Sequence, residues 1–199
     1  GVGLTPRRLD APQIKHGLVE LKPLKGRLSL EKGPRGSVLI NDILRANPAS
    51  TKAGLQGLFV FPTKGKRIAV LGEMGELGGL AEESHREIGQ KAASLKIDYL
   101  IGIGPLQKFT VQSAAAKGMK KEKIFWVKNV QEAAQILKKI LRKDDLFYLK
   151  ASLLRHVERI LMILNGQEVD CQKTSCHFYQ ACSVCPELKK TAQEDKIKK

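Results

Sequence analysis

The chain has few aromatic residues, no long apolar run and no cysteine before residue 171. Aromatics are 5% of its 199 residues, which disfavours a nucleic-acid surface built on base stacking. No apolar stretch approaches the roughly 20 residues that cross a bilayer, and the first residues lack the pattern of a signal peptide. These absences predict a cytoplasmic protein without membrane contact.

The sequence also lacks the loops that bind nucleotide phosphates. It contains neither G-x-x-x-x-G-K-[ST] nor G-x-G-x-x-G, and the Lys/Gly stretch Thr63–Lys66 matches neither pattern. By itself the chain is therefore not expected to hold ATP phosphates. Because it begins with GVGL and not with Met, we interpret it as part of a longer chain.

Positive charge is in excess, with 35 Lys and Arg against 20 Asp and Glu and a net charge of +15. Such an excess indicates an anionic partner, either a nucleotide, an acidic substrate or nucleic acid. Basic runs also occur on ordinary solvated helix faces, and this explanation stays open for each run. One alternative for the whole protein is thus a non-catalytic module that binds nucleic acid or a protein partner through this charge.

Short apolar strands alternate with helices four times after residue 66, a pattern typical of a parallel sheet. Before it, two strand-like runs flank a Gly/Pro turn and predict a β-hairpin at one sheet edge. We therefore predict an α/β fold, a Rossmann-like, mainly parallel sheet flanked by helices. The predicted strands are Arg27–Leu30, Ser37–Ile40, Arg67–Leu71, Tyr99–Gly102, Lys123–Val127 and Asp145–Leu149. Ser50 is predicted to cap the second helix. The predicted helices are Leu9–Leu21, Ser50–Phe59, Ala81–Leu95, Pro105–Ala116, Val130–Leu141 and Ser152–Leu164.

The alternation stops after Gly166, which divides the chain into three parts. Residues 1–166 form the predicted α/β domain. Residues 167–188 carry every cysteine and form a predicted small appendage, and residues 189–199 form a charged tail that we expect to be disordered.

The cysteines have the spacing C-x4-C-x5-C-x2-C, which suits a metal better than a disulfide framework in a cytoplasmic protein. Four thiolates match tetrahedral zinc, and an iron–sulfur cluster or free thiols are the alternatives. The segment is too short and polar to fold on its own apolar core, so metal would supply its folding energy. The predicted ligands are Cys171, Cys176, Cys182 and Cys185.

Several motifs resemble the C-terminal domain of the Mur ligases, ATP-dependent enzymes that form amide bonds in peptidoglycan synthesis. The similarity covers about residues 3 to 165 and is most specific in the run RIAVLGEMGELG. It is strongest to the member that adds D-alanyl-D-alanine to the UDP-linked muramoyl tripeptide. The matching segments are Gly26-Arg27, Asn41–Ser50, Arg67–Gly78, His85–Gly89 and Lys150–Glu158.

The resemblance implies a nucleotide-binding role for Arg27, Asp42 and Asn47. Arg27 would reach the nucleotide on domain closure, Asp42 would orient Arg27 or bind magnesium through water, and Asn47 would bond the nucleotide. From the residues alone, Arg27 also suits a solvated edge strand, and Asn before Pro is a common turn. The family's Asp-Asp-Ser-Tyr-Asn is Asn-Asp-Ile-Leu-Arg here, so one Asp, the Tyr and one Asn are missing.

A substrate-binding role is implied for Glu73, Lys150 and Ser152. Glu73 would line the pocket of the incoming amine, although a solvated loop acid fits the sequence equally. Lys150 and Ser152 would hold the substrate carboxylate at a helix N-terminus, where free amides favour anions, although Ser152 also suits a plain N-cap. His85 matches a family position, and we expect a surface or capping histidine there.

The resemblance also implies the cofactors, the substrates and the reaction. ATP, with Mg²⁺ held mostly by a central domain, would phosphorylate a carboxylate of the UDP-linked muramoyl peptide. The amine of a D-alanyl-D-alanine-type substrate would then attack the acyl phosphate. In that mechanism this chain supplies amine-side contacts and a lid over ATP, needs the missing N-terminal and central domains, and is inactive alone. Nucleic acid is then an unlikely partner.

Overall fold

The computed structural model describes residues 10–20 and 24–188, so the predicted charged tail 189–199 lies outside the described residues. Six strands form one sheet in the order β1-β2-β6-β3-β4-β5. Their bounds are β1 Ser29–Lys32, β2 Val38–Asp42, β3 Arg67–Gly72, β4 Tyr99–Ile103, β5 Ile124–Val127 and β6 Leu146–Lys150.

All neighbouring strands run parallel except β1, which pairs antiparallel with β2 at one edge. The predicted hairpin is thus confirmed, as is the α/β class with a mainly parallel sheet. Strand β6, last in the chain, lies between β2 and β3, with Asp42 opposite Lys150 in the register. This insertion brings the ends of β2, β6 and β3 together at one end of the sheet.

Six α-helices are described: α1 Ala11–Glu20, α2 Pro48–Val60, α3 Ala81–Ser94, α4 Gln107–Ala116, α5 Val130–Ile140 and α6 Arg159–Leu164. Apolar residues of α5 and α6 pack with one face of the sheet, and those of α2, α3 and α4 pack with the other. The sheet is therefore covered on both faces, as parallel sheets require. No helix in the described part of the chain is long and apolar enough to cross a membrane.

Helix α2 packs closely against strand β6, near the middle of the sheet. A Cβ on Gly54 would meet the Tyr148 hydroxyl at 1.9 Å, so only glycine permits this approach. The helix is capped by Asn47, whose Oδ1 accepts from the Ser50 amide at 2.8 Å, while Ser50 Oγ accepts from the Asn47 amide. The prediction that Ser50 is the cap was wrong, because Pro48 starts the helix earlier and Ser50 occupies the reciprocal position of a capping box.

The last helix is shorter than predicted. It begins at Arg159 and not at Ser152, because His156 adopts a left-handed conformation with φ 47°. A single 3₁₀ turn, Leu153–Arg155, occupies the intervening stretch. Ser152 therefore does not cap an α-helix, and the predicted carboxylate site at a helix N-terminus is not formed there.

Candidate functional site

A buried ion pair lies where β2 and β6 end. The Lys150 ammonium donates to Asp42 Oδ2 at 2.7 Å and also to the Arg45 carbonyl, and the Tyr148 hydroxyl donates to Asp42 Oδ2 at 3.0 Å. Burial lowers the pKa of Lys150 more than the Asp42 carboxylate raises it, and the nearby Arg27 lowers it further. Burial, reinforced by Asp42, raises the pKa of Tyr148. The hydroxyl therefore remains a hydrogen-bond donor at neutral pH.

The second oxygen of Asp42 holds the loop that carries Arg27. Asp42 Oδ1 accepts from the Leu28 amide at 3.2 Å, and Gly26 and Leu28 both take positive φ. Arg27 itself is exposed. Asp42 therefore fixes the backbone of this loop, and the Arg27 guanidinium stands in solvent near the buried pair.

Glu73 follows β3 and is buried, with 6% of its surface exposed. Its Oε1 accepts from the Leu106 amide at 2.8 Å, and its Oε2 lies 3.2 Å from an Arg155 nitrogen. The alternative of a solvated loop acid is therefore wrong. Glu73 joins the loops after β3, β4 and β6, and it positions Arg155.

Arg155 contributes to an open cleft of about 450 Å³ beyond the carboxyl ends of β2, β3 and β6. We call it the strand-end cleft; it is lined by Arg45, Gly75, Ser152, Arg155, Ser175, Tyr179 and neighbouring residues. The lining includes two arginines and two serines, together with one acidic residue, Glu76. The two arginines suit a carboxylate or phosphate, which guanidinium groups bind in bidentate fashion.

The structure separates the predicted site residues into different positions. Ser152 lines the cleft, and its Oγ accepts from the Gly75 amide at 3.1 Å. Lys150 is only 1% exposed and its ammonium contacts Asp42, so it supports the site from below. Asn47 is exposed at the start of α2 and caps that helix. Their roles toward ligands stay predictions.

His85 is completely buried inside α3 and lies at neither cap of that helix, so the prediction of a surface or capping histidine was wrong. Its Nδ1 lies 2.7 Å from the Ala81 carbonyl, and its Nε2 accepts from the Met74 amide at 3.3 Å. Burial lowers the pKa of this imidazole, despite the raising effect of its bond to Ala81. The neutral ring thus holds the loop after β3, directly beside Glu73.

The four cysteines are free, and Cys182 is buried. Within residues 10–20 and 24–188, their sulfurs do not form a group of three or more ligand atoms within 4.8 Å of one another; His156, Glu158 and Cys182 do. A preformed four-thiolate cage is therefore not present in the described chain. Instead, residues 167–188, here called the cysteine segment, dock on α5 and α6 through buried polar contacts.

Reasoning from sequence missed Arg155, Ser175 and Tyr179. Arg155 lies three residues after Ser152, inside the segment Lys150–Glu158 that matches the family, so its place in that segment was the available signal. Ser175 and Tyr179 reach the cleft only because the cysteine segment folds back over the turn at Leu153–Arg155. Local sequence carries no sign of that return.

Known proteins share both the sequence and the fold. Residues 26–153 match the family model of the Mur ligase, glutamate ligase domain. A UDP-N-acetylmuramoyl-tripeptide–D-alanyl-D-alanine ligase from Bacillus subtilis is 35% identical over 145 residues, which are 73% of this chain and 32% of that protein. The Escherichia coli ligase of that name is 36% identical over 110 residues, 55% of this chain and 23% of that protein.

A solved structure of MurF ligase from Thermotoga maritima in complex with ADP superposes with a TM-score of 0.63 and 26% identity, over 76% of this chain and 33% of that one. The chain thus spans about a quarter to a third of the length of these relatives. The matched region contains β1 to β6 and the ends of the strands where the cleft lies. On the family model, the chain belongs to the Mur ligase family, as its glutamate ligase domain.

Proposed function

We propose that the chain is the C-terminal domain of a cytoplasmic, ATP-dependent amide ligase that adds D-alanyl-D-alanine to a UDP-linked muramoyl tripeptide. The relatives that share its sequence are named for that reaction. The observation that carries the proposal is the strand-end cleft, because its charged groups are placed for the anionic end of an incoming dipeptide. The other domains of the ligase would come from the remainder of a longer chain.

The cleft would bind the dipeptide through its carboxylate. Arg155 is partly exposed, at 22% of its side chain, and Glu73 holds one face of its guanidinium. Its other nitrogens would pair with a carboxylate in the cleft, beside the hydroxyls of Ser152 and Ser175. Glu73 then acts as the positioning residue, and the substrate amine points towards the acyl phosphate in the central domain.

Arg27 would contact the nucleotide on the side of the Asp42–Lys150 ion pair opposite the strand-end cleft. Its loop is fixed by Asp42, and its side chain is exposed towards solvent. Closure of this domain over ATP would place the guanidinium against phosphate or ribose and exclude water from the acyl phosphate. Asp42 already accepts from Leu28, Tyr148 and Lys150, so we assign Mg²⁺ to the central domain together with ATP.

The chain alone would then neither hydrolyse ATP nor form amides. Its sequence has no phosphate-binding loop, and the reaction needs the acyl phosphate formed in another domain. Within the described residues, the positions of Cys171, Cys176, Cys182 and Cys185 do not support the predicted four-thiolate zinc or iron–sulfur site. A different ligand set is argued in the following subsection.

The test is kinetic and uses the full-length ligase. Arg155→Ala should raise KM for D-alanyl-D-alanine about ten- to a hundredfold, since a hydrogen bond to a charged group contributes roughly 1.5–3 kcal/mol. KM for ATP should change little. The matched control is Arg35→Ala, an exposed Arg at the β1–β2 turn. An unchanged dipeptide KM in the Arg155 variant would remove the cleft from substrate binding.

A further inference from the structure

Three potential metal ligands from two parts of the chain meet under the cysteine segment. His156 and Glu158 come from the turn before α6, and Cys182 comes from the cysteine segment. One ligand atom of each lies within 4.8 Å of the other two. His156 and Cys182 are 1% and 5% exposed, and the Glu158 side chain is 18% exposed. This is not a solvated acidic cluster.

We propose that His156, Glu158 and Cys182 bind one zinc ion that fastens the cysteine segment to the α/β core. Imidazole, carboxylate and thiolate are all ligands that zinc takes in proteins, and three protein ligands with one open position form a recurrent zinc site. The remaining cysteines then are not ligands. The proposal is independent of the ligase reaction.

The histidine is held in the orientation that a metal ligand requires. His156 Nε2 lies 2.7 Å from the Phe178 carbonyl oxygen, so this nitrogen donates, and Nδ1 lies 2.8 Å from Glu158 Oε1. Metal-binding histidines commonly donate their second N–H to a backbone carbonyl in this way, which fixes the ring. A tetrahedral zinc needs Nδ1 and Oε1 to separate by only about 0.5 Å.

Glu158 occupies the centre of the cluster. Its Oε1 lies 2.8 Å from His156 Nδ1 and accepts from the Cys182 amide at 3.3 Å. Burial raises the pKa of Glu158, but the bonds from His156 and Cys182 outweigh it, and the net pKa is lowered. Glu158 thus lies within hydrogen-bond distance of both His156 and the backbone of Cys182.

Cys182 would bind zinc as a thiolate, because a coordinating thiol is deprotonated. With a neutral imidazole, one carboxylate and one thiolate, the three ligands then balance the two positive charges of zinc. A neutral set of this kind suits a buried position.

An open cavity adjoins the cluster at Glu158. Glu158 lines a cavity of about 680 Å³ together with Leu153, Met162, Ala181 and Ser183. Water therefore reaches the carboxylate from one side. The site would hold zinc with three protein ligands and one water, without drawing Cys171, Cys176 or Cys185 into the coordination.

Zinc binding to the 199-residue chain tests the proposal. We expect one zinc ion per chain. His156→Asn and Cys182→Ser should each weaken zinc binding by more than about a hundredfold, which exceeds the effect of losing a residue that only hydrogen-bonds to a metal ligand. Asparagine tolerates the left-handed conformation of residue 156, so the turn is preserved. Cys176→Ser is the matched control, since this residue lies in the same segment outside the cluster, and it should change affinity less than about twofold.

Cobalt substitution and a conservative variant separate the possible outcomes. Cobalt in place of zinc should show the charge-transfer absorption of a single thiolate, lost in Cys182→Ser. Glu158→Gln keeps an acceptor for the Cys182 amide, so the segment should stay docked by hydrogen exchange while zinc affinity falls. Zinc lost in Cys176→Ser but kept in His156→Asn would instead establish a four-thiolate site. A chain that takes up no zinc, or Glu158→Gln with undiminished affinity, would also overturn the proposal.

Discussion

The α/β core and the cysteine segment are held together by different forces. In the core, buried aliphatic side chains fill both faces of the sheet. The segment buries a much smaller apolar group, Val169, Cys182 and Leu188, against α6. The segment is held in place mainly by polar side chains of the core, which hydrogen-bond to the backbone of the segment.

Arg159 is the clearest example of such a group. Although 1% exposed, it donates to the carbonyls of Cys171 and Lys173 and to the sulfur of Cys171. Gln131 of α5 donates to the carbonyls of Val169 and Cys171. The core therefore needs little from the segment, whereas the segment needs the core to satisfy its buried carbonyls.

The largest expected effect comes from breaking the core's buried ion pair. Lys150→Met leaves the Asp42 carboxylate buried without its cation, and we expect the free energy of unfolding to fall by about 3–5 kcal/mol. Urea unfolding followed by circular dichroism measures it. The control Asp42→Asn/Lys150→Met removes both charges and should cost less than Lys150→Met. A loss below about 1 kcal/mol in the single variant would contradict the account.

A smaller effect, confined to the segment, is expected for Arg159→Met. The variant loses charge-assisted bonds to two carbonyls, which should lower the free energy of opening the segment by about 1.5–3 kcal/mol. In the variant, hydrogen exchange measured by mass spectrometry should accelerate more over residues 168–176 than in β3. Lys173→Ala, which removes an exposed ion pair with Glu187, is the control and should change opening by less than about 1 kcal/mol. Equal loss of protection in β3 would mean that core and segment are one unit.

The smallest effect is a pH dependence in the core. Burial lowers the pKa of His85, so below its unfolded value of about 6.5 the unfolded chain binds a proton that the folded chain does not. Stability should therefore fall as pH drops from about 6.5 towards the folded pKa, by at most about 1.4 kcal/mol per pH unit. His85→Gln should flatten this part of the urea-unfolding profile. A slope unchanged by the substitution would assign it to other groups.

The same contrast explains what could be predicted from the sequence. The core was predictable in outline because strand and helix periodicity is local, and every core strand lies within two residues of its prediction. The start of α6 could not be predicted in this way, because the left-handed conformation of His156 delays it. The His156 side chain is held by Phe178 and Glu158, and these contacts belong to no helical pattern. The capping role of Asn47 was missed because Ser50, which is also a common capping residue type, was predicted as the cap.

At the site, sequence reasoning found residues but not their partners. Asp42, Glu73, Lys150 and Ser152 all lie at the strand ends as the motifs indicated. The pairing of Asp42 with Lys150 depends on β6 entering the sheet beside β2, a long-range event that no local pattern encodes. The contributions of Ser175 and Tyr179 depend in turn on the docking of the segment.

The proposed ligase role is tested most directly by turnover of the full-length protein with ATP, UDP-linked muramoyl tripeptide and D-alanyl-D-alanine. The account predicts ADP release that requires both other substrates. It also predicts that Arg27→Ala lowers kcat/KM for ATP about ten- to a hundredfold, as loss of a charged contact of roughly 1.5–3 kcal/mol implies. ADP release that is independent of the dipeptide, or an unchanged kcat/KM in the Arg27 variant, would contradict it.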